Sequence, residues 1–250
     1  MSEYGILAGC YDEFTRDIDY GSFADFYEQI FALENIEVKS MLDLACGTGT
    51  LTCLLADRGY ELIGVDRSIE MLSEAFDKAQ NVRGIRPLFL NQDMTKLDLY
   101  GTVDCAVCCL DGINYLSDPE DAAKTFERLK FFINPNGLFI FDINSAYKLK
   151  NLDGGMFIDE DENSYCVWRT EFNEETNLCF YGMDIFKKQK NELWKRGFEE
   201  HYEYAYTPEQ LKQLLEANGF HDVKFYADRK NEAPKEDELR IFITARRDNY

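Results

Sequence analysis

The chain has 250 residues, 45% hydrophobic and 30% charged. That is enough to bury the core of one elaborated α/β domain or two small domains, and too apolar for general disorder. Its 47 acidic against 27 basic residues leave a formal net charge of -20, a field that repels DNA, RNA and anionic membranes and suits a neutral or cationic small molecule. No run approaches the ~18 apolar residues of a membrane span. Met1-Ser2-Glu3-Tyr4 lacks the basic and apolar stretches of a secretory signal, so the expected location is the cytoplasm.

In chain order, an acidic aromatic stretch over residues 11–20 predicts partly helical chain. Phe23, Phe26, Tyr27, Ile30 and Phe31 then recur at the spacing of an amphipathic helix. From Lys39 the pattern becomes strand, turn, helix, repeated. Residues 41–45 read as a buried strand, Gly47-Thr48-Gly49 turns it, and Leu51, Leu54 and Leu55 mark the next helix. Residues 61–66 are a second strand, and Ser68 caps a helix with Leu72, Ala75, Phe76 and Ala79 on its inner face. Residues 88–90 and 103–110 are the third and fourth strands. Asp118-Pro119 opens a helix through Phe126, Leu129 and Ile133, and residues 138–142 form the fifth strand. This alternation predicts a doubly wound α/β fold with parallel strands buried on both faces. The eight cysteines do not form a disulfide scaffold in so long a chain. Cys108 and Cys109 are neighbours on one strand and face opposite sides, so they predict buried reduced thiols and no metal site.

Between about Ser164 and Tyr206 the chain alternates aromatic and charged residues. Cys166, Trp168, Thr170 and Phe172 share a face, residues 173–177 turn, and Leu178, Phe180 and Phe186 follow. Residues 187–192 turn again, and 194–206 complete an antiparallel meander. Thr207-Pro-Glu-Gln210 is a capping box, with Leu211, Leu214 and Leu215 as the helix stripe and Gly219 as its stop. Residues 223–226 and 241–244 are closing strands. An insert leaving after the fifth strand would cover the carboxyl ends of the strands, where such sheets bind ligands.

The strongest chemical signal is Met41-Leu-Asp43-Leu-Ala45-Cys-Gly47-Thr-Gly49-Thr. Glycine lets a backbone lie against a ligand. A dinucleotide fingerprint needs a third small residue three positions beyond the second glycine, and Thr52 occupies that place. Asp43 would repel a pyrophosphate and welcome an ammonium. In this the sequence resembles the class I S-adenosylmethionine-dependent methyltransferases, whose first motif runs hydrophobic, acid, hydrophobic, small, x, Gly, x, Gly. The resemblance implies that the loop around Ala45, Gly47 and Gly49 holds the methionine part of S-adenosylmethionine, with its amino group near Asp43. It implies that Asp66 accepts the ribose hydroxyls and that Arg67 and Met71 pack on the adenine. Asp93 and Met94 would meet the adenine edge, and Leu110 to Tyr115 would face cofactor and substrate. Tyr11 and Tyr20 resemble tyrosines that close over the cofactor in a bacterial small-molecule subgroup carrying a similar insert; the basic residue expected after Glu203 is here Tyr204.

The resemblance also implies the fold class: a Rossmann-like mixed seven-stranded sheet with its last strand antiparallel, and an antiparallel β insert after strand five. Residues 1–38 would form a helical cap over the cofactor, 39–150 and 207–250 the core, and 151–206 a substrate lid. Methyl transfer is an in-line displacement at an activated sulfonium, so orientation and desolvation can supply much of the catalysis. His201 is the base candidate by intrinsic pKa, and Asp111 the other. Trp168, Trp194 and Tyr202, with Tyr181 and Tyr204, could line an aromatic acceptor pocket. The expected acceptor is a small molecule and the expected state a monomer or homodimer. The alternatives are a non-catalytic cofactor-binding regulator and a methyltransferase acting on RNA or protein.

Overall fold

The computed structural model describes residues 7–189 and 192–249. Met1 to Tyr4 and part of the turn expected over 187–192 lie outside the described residues. After a 3₁₀ turn at Ala8–Cys10 come α1 (Tyr11–Phe14) and α2 (Tyr20–Leu33). The core then alternates β1 (Ser40–Leu44), α3 (Thr50–Asp57), β2 (Glu61–Asp66), α4 (Ile69–Ala79), β3 (Leu88–Asn91), β4 (Val103–Cys108), α5 (Pro119–Phe132) and β5 (Ile133–Asn144). A short α6 (Ala146–Asn151) leads to β6 (Met156–Glu160), β7 (Ser164–Asn173), β8 (Leu178–Lys188) and β9 (Trp194–Tyr204). α7 (Pro208–Ala217), β10 (Phe220–Tyr226) and β11 (Arg240–Arg247) complete the core.

Seven strands form one sheet in the order β10-β11-β5-β4-β1-β2-β3, and β6 to β9 form a second, antiparallel sheet. Strands β1 to β5 pair in parallel, whereas β11 runs antiparallel to both β5 and β10. The strand order reverses beside β1, which places the ligand crevice of a doubly wound sheet at the carboxyl ends of β1 and β4. Alternating residues sort the core into two layers. Leu42, Leu44, Ala106, Phe139 and Phe141 pack under α5 and α7, while Met41, Val107, Ile140 and Phe242 pack under α2 and α3.

α2 closes the second layer with Phe23, Phe26, Tyr27, Ile30 and Phe31, all buried. At ~1.5–3 kcal/mol per side chain this docking contributes on the order of 10 kcal/mol. Caps fall where the sequence places them: Ser68 Oγ accepts from Met71 N, Asp118 precedes Pro119, and Thr207 and Gln210 bond reciprocally. One predicted inner-face residue differs from expectation. Phe76 is 48% exposed, because it stands at the rim of α4 against Phe89 and not under the helix. On β8 the buried row is Cys179, Tyr181, Met183 and Ile185, and Leu178, Phe180 and Phe186 are half-buried. β6 carries Met156, Phe157 and Ile158 exposed, a pattern that gave no inward signal.

The N-terminal segment spans the two sheets. Leu7 and Cys10 pack on Cys166, Met183 and Ile185 of the insert, and Leu7 N donates to Glu199 Oε1 at 3.1 Å. Farther along, Asp12 accepts from Thr48 Oγ1 at 2.6 Å and from Lys78 Nζ at 2.7 Å. Tyr11 is thereby held across the crevice.

Candidate active site

A cleft of about 1000 Å³, counted to its open mouth, lies at the carboxyl ends of β1 to β4. β1 and its turn contribute Asp43, Ala45, Cys46, Gly47 and Thr48 to the wall; β2 contributes Val65, Asp66 and Arg67. Gln92, Asp93 and Met94 come from the end of β3, and Cys109, Leu110, Gly112, Tyr115 and Leu116 from the end of β4. With Tyr11, Tyr20 and Met71, every predicted cofactor residue but one lines the cleft. Gly49 does not reach the cleft. It opens α3 with φ 70°, and a Cβ there would lie 2.9 Å from Ala75 Cβ and 3.0 Å from Phe89 Cζ. It is the close helix–sheet contact that forbids a side chain.

Ala45 and Gly47 take left-handed backbone, φ 56° and 53°. A Cβ on Gly47 would meet nothing within 4 Å, so its face is open to the cleft. Beneath the turn Asp43 is buried, and its carboxylate accepts from Thr52 Oγ1 at 2.5 Å. The residue that breaks the dinucleotide fingerprint is thus the one that holds the motif acid. Burial pushes the Asp43 carboxyl up to about 7, with Thr52 lowering it and Asp66 raising it. A cationic group beside it would relieve that penalty.

Asp66 ends β2. Its two oxygens accept from Gly47 N and Ser68 N, both at 2.8 Å, which ties the glycine turn to the second strand. Burial raises its carboxyl above the usual range despite these bonds. Asp93 accepts from Thr95 N and Oγ1 at 2.8 Å. Burial works to raise it, but the Thr95 bonds and the Arg67 charge hold it below its ordinary value. Tyr11 and Tyr20 stand on the opposite wall, and burial lifts both phenols well above their ordinary value.

The fit to S-adenosylmethionine rests on these features. A desolvated acid suits an ammonium, and an open glycine face suits an amino-acid chain. A two-oxygen acceptor at the end of β2 suits a vicinal diol, and Arg67, Met71 and Met94 flank the neighbouring slot. Cys46, Thr48 and Thr50, which the first motif contains without an assigned role, and Leu51, Val65 and Cys109, which lie outside the motifs, also line it. Their one available cue was adjacency to motif residues at strand ends.

Five sequence candidates are placed elsewhere. Asp111 does not line the cleft; Arg240 Nη2 donates to its Oδ1 at 2.8 Å, so its carboxylate is held in a half-buried ion pair and is not a free base. His201 is 3% exposed and lies behind Tyr115, with ring centroids 5.8 Å apart edge to face; its Nε2 is 3.4 Å from Glu199 Oε2. Trp194 and Tyr202 are 48% and 45% exposed. His201 and Glu203 on the same strand are buried, so period-2 alternation turns Tyr202 outward, against Phe180. Trp194 stands at the outer start of β9. Trp168 faces inward, 6.5 Å from the Tyr181 ring, and neither ring lines the cleft.

The sequence profile of the family described as "Methyltransferase domain" matches residues 41–137. A protein named putative methyltransferase YqeM, from Bacillus subtilis, is 30% identical over 246 residues, 98% of this chain and 97% of that one. The crystal structure of a S-adenosylmethionine-dependent methyltransferase from Clostridium acetobutylicum superposes with a TM-score of 0.87 at 32% identity, covering 98% of this chain and 99% of that one. The chain belongs to the S-adenosylmethionine-dependent methyltransferases. A glycine/sarcosine N-methyltransferase from Parasynechococcus marenigrum is 27% identical over 168 residues, 66% of this chain and 59% of that protein. The methyltransferase is of the class I fold, and its methyl donor is S-adenosylmethionine. Among the described residues no helix is long and apolar enough to cross a membrane, and no cluster of His, Cys, Asp and Glu could hold a metal ion.

Proposed function

We propose that this methyltransferase acts on a small-molecule acceptor carrying an amine, by in-line displacement, in the cytoplasm. The observation that carries the reading is the covering of the cleft. Tyr11 and Tyr20 wall it, and the segment bearing Tyr11 is tied to the insert at Leu7 and to the glycine turn at Asp12. The cap of residues 1–38 and the lid of 151–206 suit enclosure of a small acceptor better than docking of a polymer. The net charge of -20 disfavours RNA and DNA. An amine suits an acidic surrounding, and Glu199 and Glu203 are buried on β9 of the insert. The partial likeness to a glycine/sarcosine N-methyltransferase supports the same choice.

S-adenosylmethionine supplies an activated methyl group on a sulfonium. Asp43, Gly47 and Asp66 would fix its amino-acid and ribose parts, and Arg67, Met71, Asp93 and Met94 its base. Leu110 and Tyr115 would aim the methyl group at the acceptor. Asp43, Asp66 and Asp93 are all engaged by hydrogen bonds, so the wall favours orientation and exclusion of water over proton abstraction. His201 acts through Tyr115 in this reading and Trp168 through Tyr181, neither touching the acceptor.

The test is methyl transfer from labelled S-adenosylmethionine into a cell extract split into small-molecule, RNA and protein fractions. Label in the small-molecule fraction, on nitrogen, is the expected result. Label confined to RNA or protein refutes the acceptor class. Tight cofactor binding with no label anywhere supports the regulator instead.

A further inference from the structure

The turn after β4 is cleft wall whose backbone strand pairing does not set. Leu110 and Asp111 are both left-handed, φ 56° and 57°, a conformation that non-glycine residues avoid. Their successive N–H groups converge on one carboxylate: Leu110 N donates to Asp142 Oδ1 at 2.9 Å and Asp111 N to Asp142 Oδ2 at 3.2 Å. The turn is a backbone concavity closed on an anion. Gly112 leaves no slack, since a Cβ there would lie 2.6 Å from Cys108 Sγ and 3.2 Å from Ala45 Cβ. Leu110, Gly112, Tyr115 and Leu116 all reach the cleft from this turn.

Asp142 is wholly buried on β5, in a strand otherwise apolar around it. A buried carboxylate requires a cation and hydrogen bonds. Arg240, the first residue of β11, provides both. Its Nη1 donates to Asp142 Oδ2, and its Nη2 donates to Asp111 Oδ1 at 2.8 Å and Asn144 Oδ1 at 3.2 Å. One planar fork thus grips the anion that anchors the turn and a side chain of the turn itself. Burial alone would lower the guanidinium, but Asp142 and Asp111 more than offset it, and Arg240 stays charged. The far end of the turn is fixed separately: Asn114 Nδ2 donates to Asn144 O at 3.1 Å and to Tyr204 O at 2.9 Å.

We propose that Arg240 is a positioning residue for methyl transfer: through Asp142 and Asp111 it sets the left-handed turn that carries Leu110 and Tyr115 into the cofactor cleft. This rests on the cleft being the cofactor site. It also assigns Asp111 to the frame of the turn instead of to proton transfer.

The test uses the full-length chain with two readouts. One is S-adenosylhomocysteine affinity by calorimetry; the other is hydrogen exchange by mass spectrometry over residues 108–116. Arg240→Met is expected to weaken binding about tenfold or more, with faster exchange confined to the turn. Arg240→Lys, which keeps the charge but not the fork, falls between. Adding Asp111→Asn to Arg240→Met recovers part of the loss by removing a carboxylate left without its cation. A merely structural role would lower the melting temperature and leave the affinity of the folded protein unchanged, which overturns the proposal. Unchanged exchange over 108–116 in Arg240→Lys also overturns it, and that variant decides alone if Arg240→Met does not fold. Absence of binding by the unmodified chain strikes the cofactor site itself, and exchange at the turn still decides what Arg240 does.

Discussion

Asp43 gives the sharpest quantitative consequence of the site. Its carboxyl is pushed up to about 7 in the empty protein by burial, and its shown partner is Thr52. A ligand ammonium beside it would pull that value down, so binding below pH 7 must release a proton. Affinity therefore falls as the pH falls. With the ligand-free value at about 7, S-adenosylhomocysteine should bind about 50-fold more weakly at pH 5 than at pH 7, or about 2 kcal/mol. Calorimetry across that range measures it. Asp43→Asn should bind weakly throughout with a much flatter profile, any remaining slope coming from Asp66, whose carboxyl burial also raises. Stability should move the other way. The folded-state value is raised above the unfolded one, so ionising Asp43 costs stability progressively above about pH 4 and fully above pH 7. Asp43→Asn should then stabilise the empty protein at pH 8, by up to about 4 kcal/mol, read as a higher melting temperature. An affinity flat from pH 5 to 7 in the unmodified chain, or an Asp43→Asn variant less stable than its parent at pH 8, would refute the reasoning.

Other outcomes follow from the same geometry. Asp66→Ala should weaken S-adenosylhomocysteine binding by about 10- to 100-fold, since it removes both the diol acceptor and the bond that fixes Gly47 N. Gly49→Ala should lower the melting temperature, at a cost of roughly 1–3 kcal/mol, while the folded fraction binds normally; its Cβ strikes Ala75 and Phe89 and not the cleft. Trp194→Ala and Tyr202→Ala should leave cofactor affinity unchanged within a factor of about two, because both side chains face outward. Asp12→Asn should speed cofactor dissociation measured by stopped-flow, because it loosens the tie from the segment bearing Tyr11 to Lys78 and Thr48.

The core was legible because local signals and tertiary burial agree there. Strand ends carry Asp43, Asp66 and Asp93, and alternation forces those ends to one edge of the sheet, so a list of residues scattered over half the chain becomes one cleft. Where the structure places a candidate off the cleft, the deciding partner is distant in sequence. Asp111 reads as a free acid until β11 brings Arg240 against it across 129 positions. His201 reads as a base until the sheet seats it behind Tyr115. On β9 the face itself was ambiguous, since aromatic and charged residues alternate with neither row plainly apolar. The structure resolves it by burying Glu199, His201 and Glu203 and exposing Tyr202, the reverse of what hydrophobicity ranks. A strand that buries its charged row does so only where partners wait. Leu7 N meets Glu199 at 3.1 Å and Asn144 Nδ2 meets Glu203 Oε2 at 2.7 Å; burial, with Asp111 nearby, still pushes Glu203 up to about 8. β9 thus turns its polar row to the cap and the core and is placed by hydrogen bonding, whereas its neighbour β8 buries an apolar row as the core strands do.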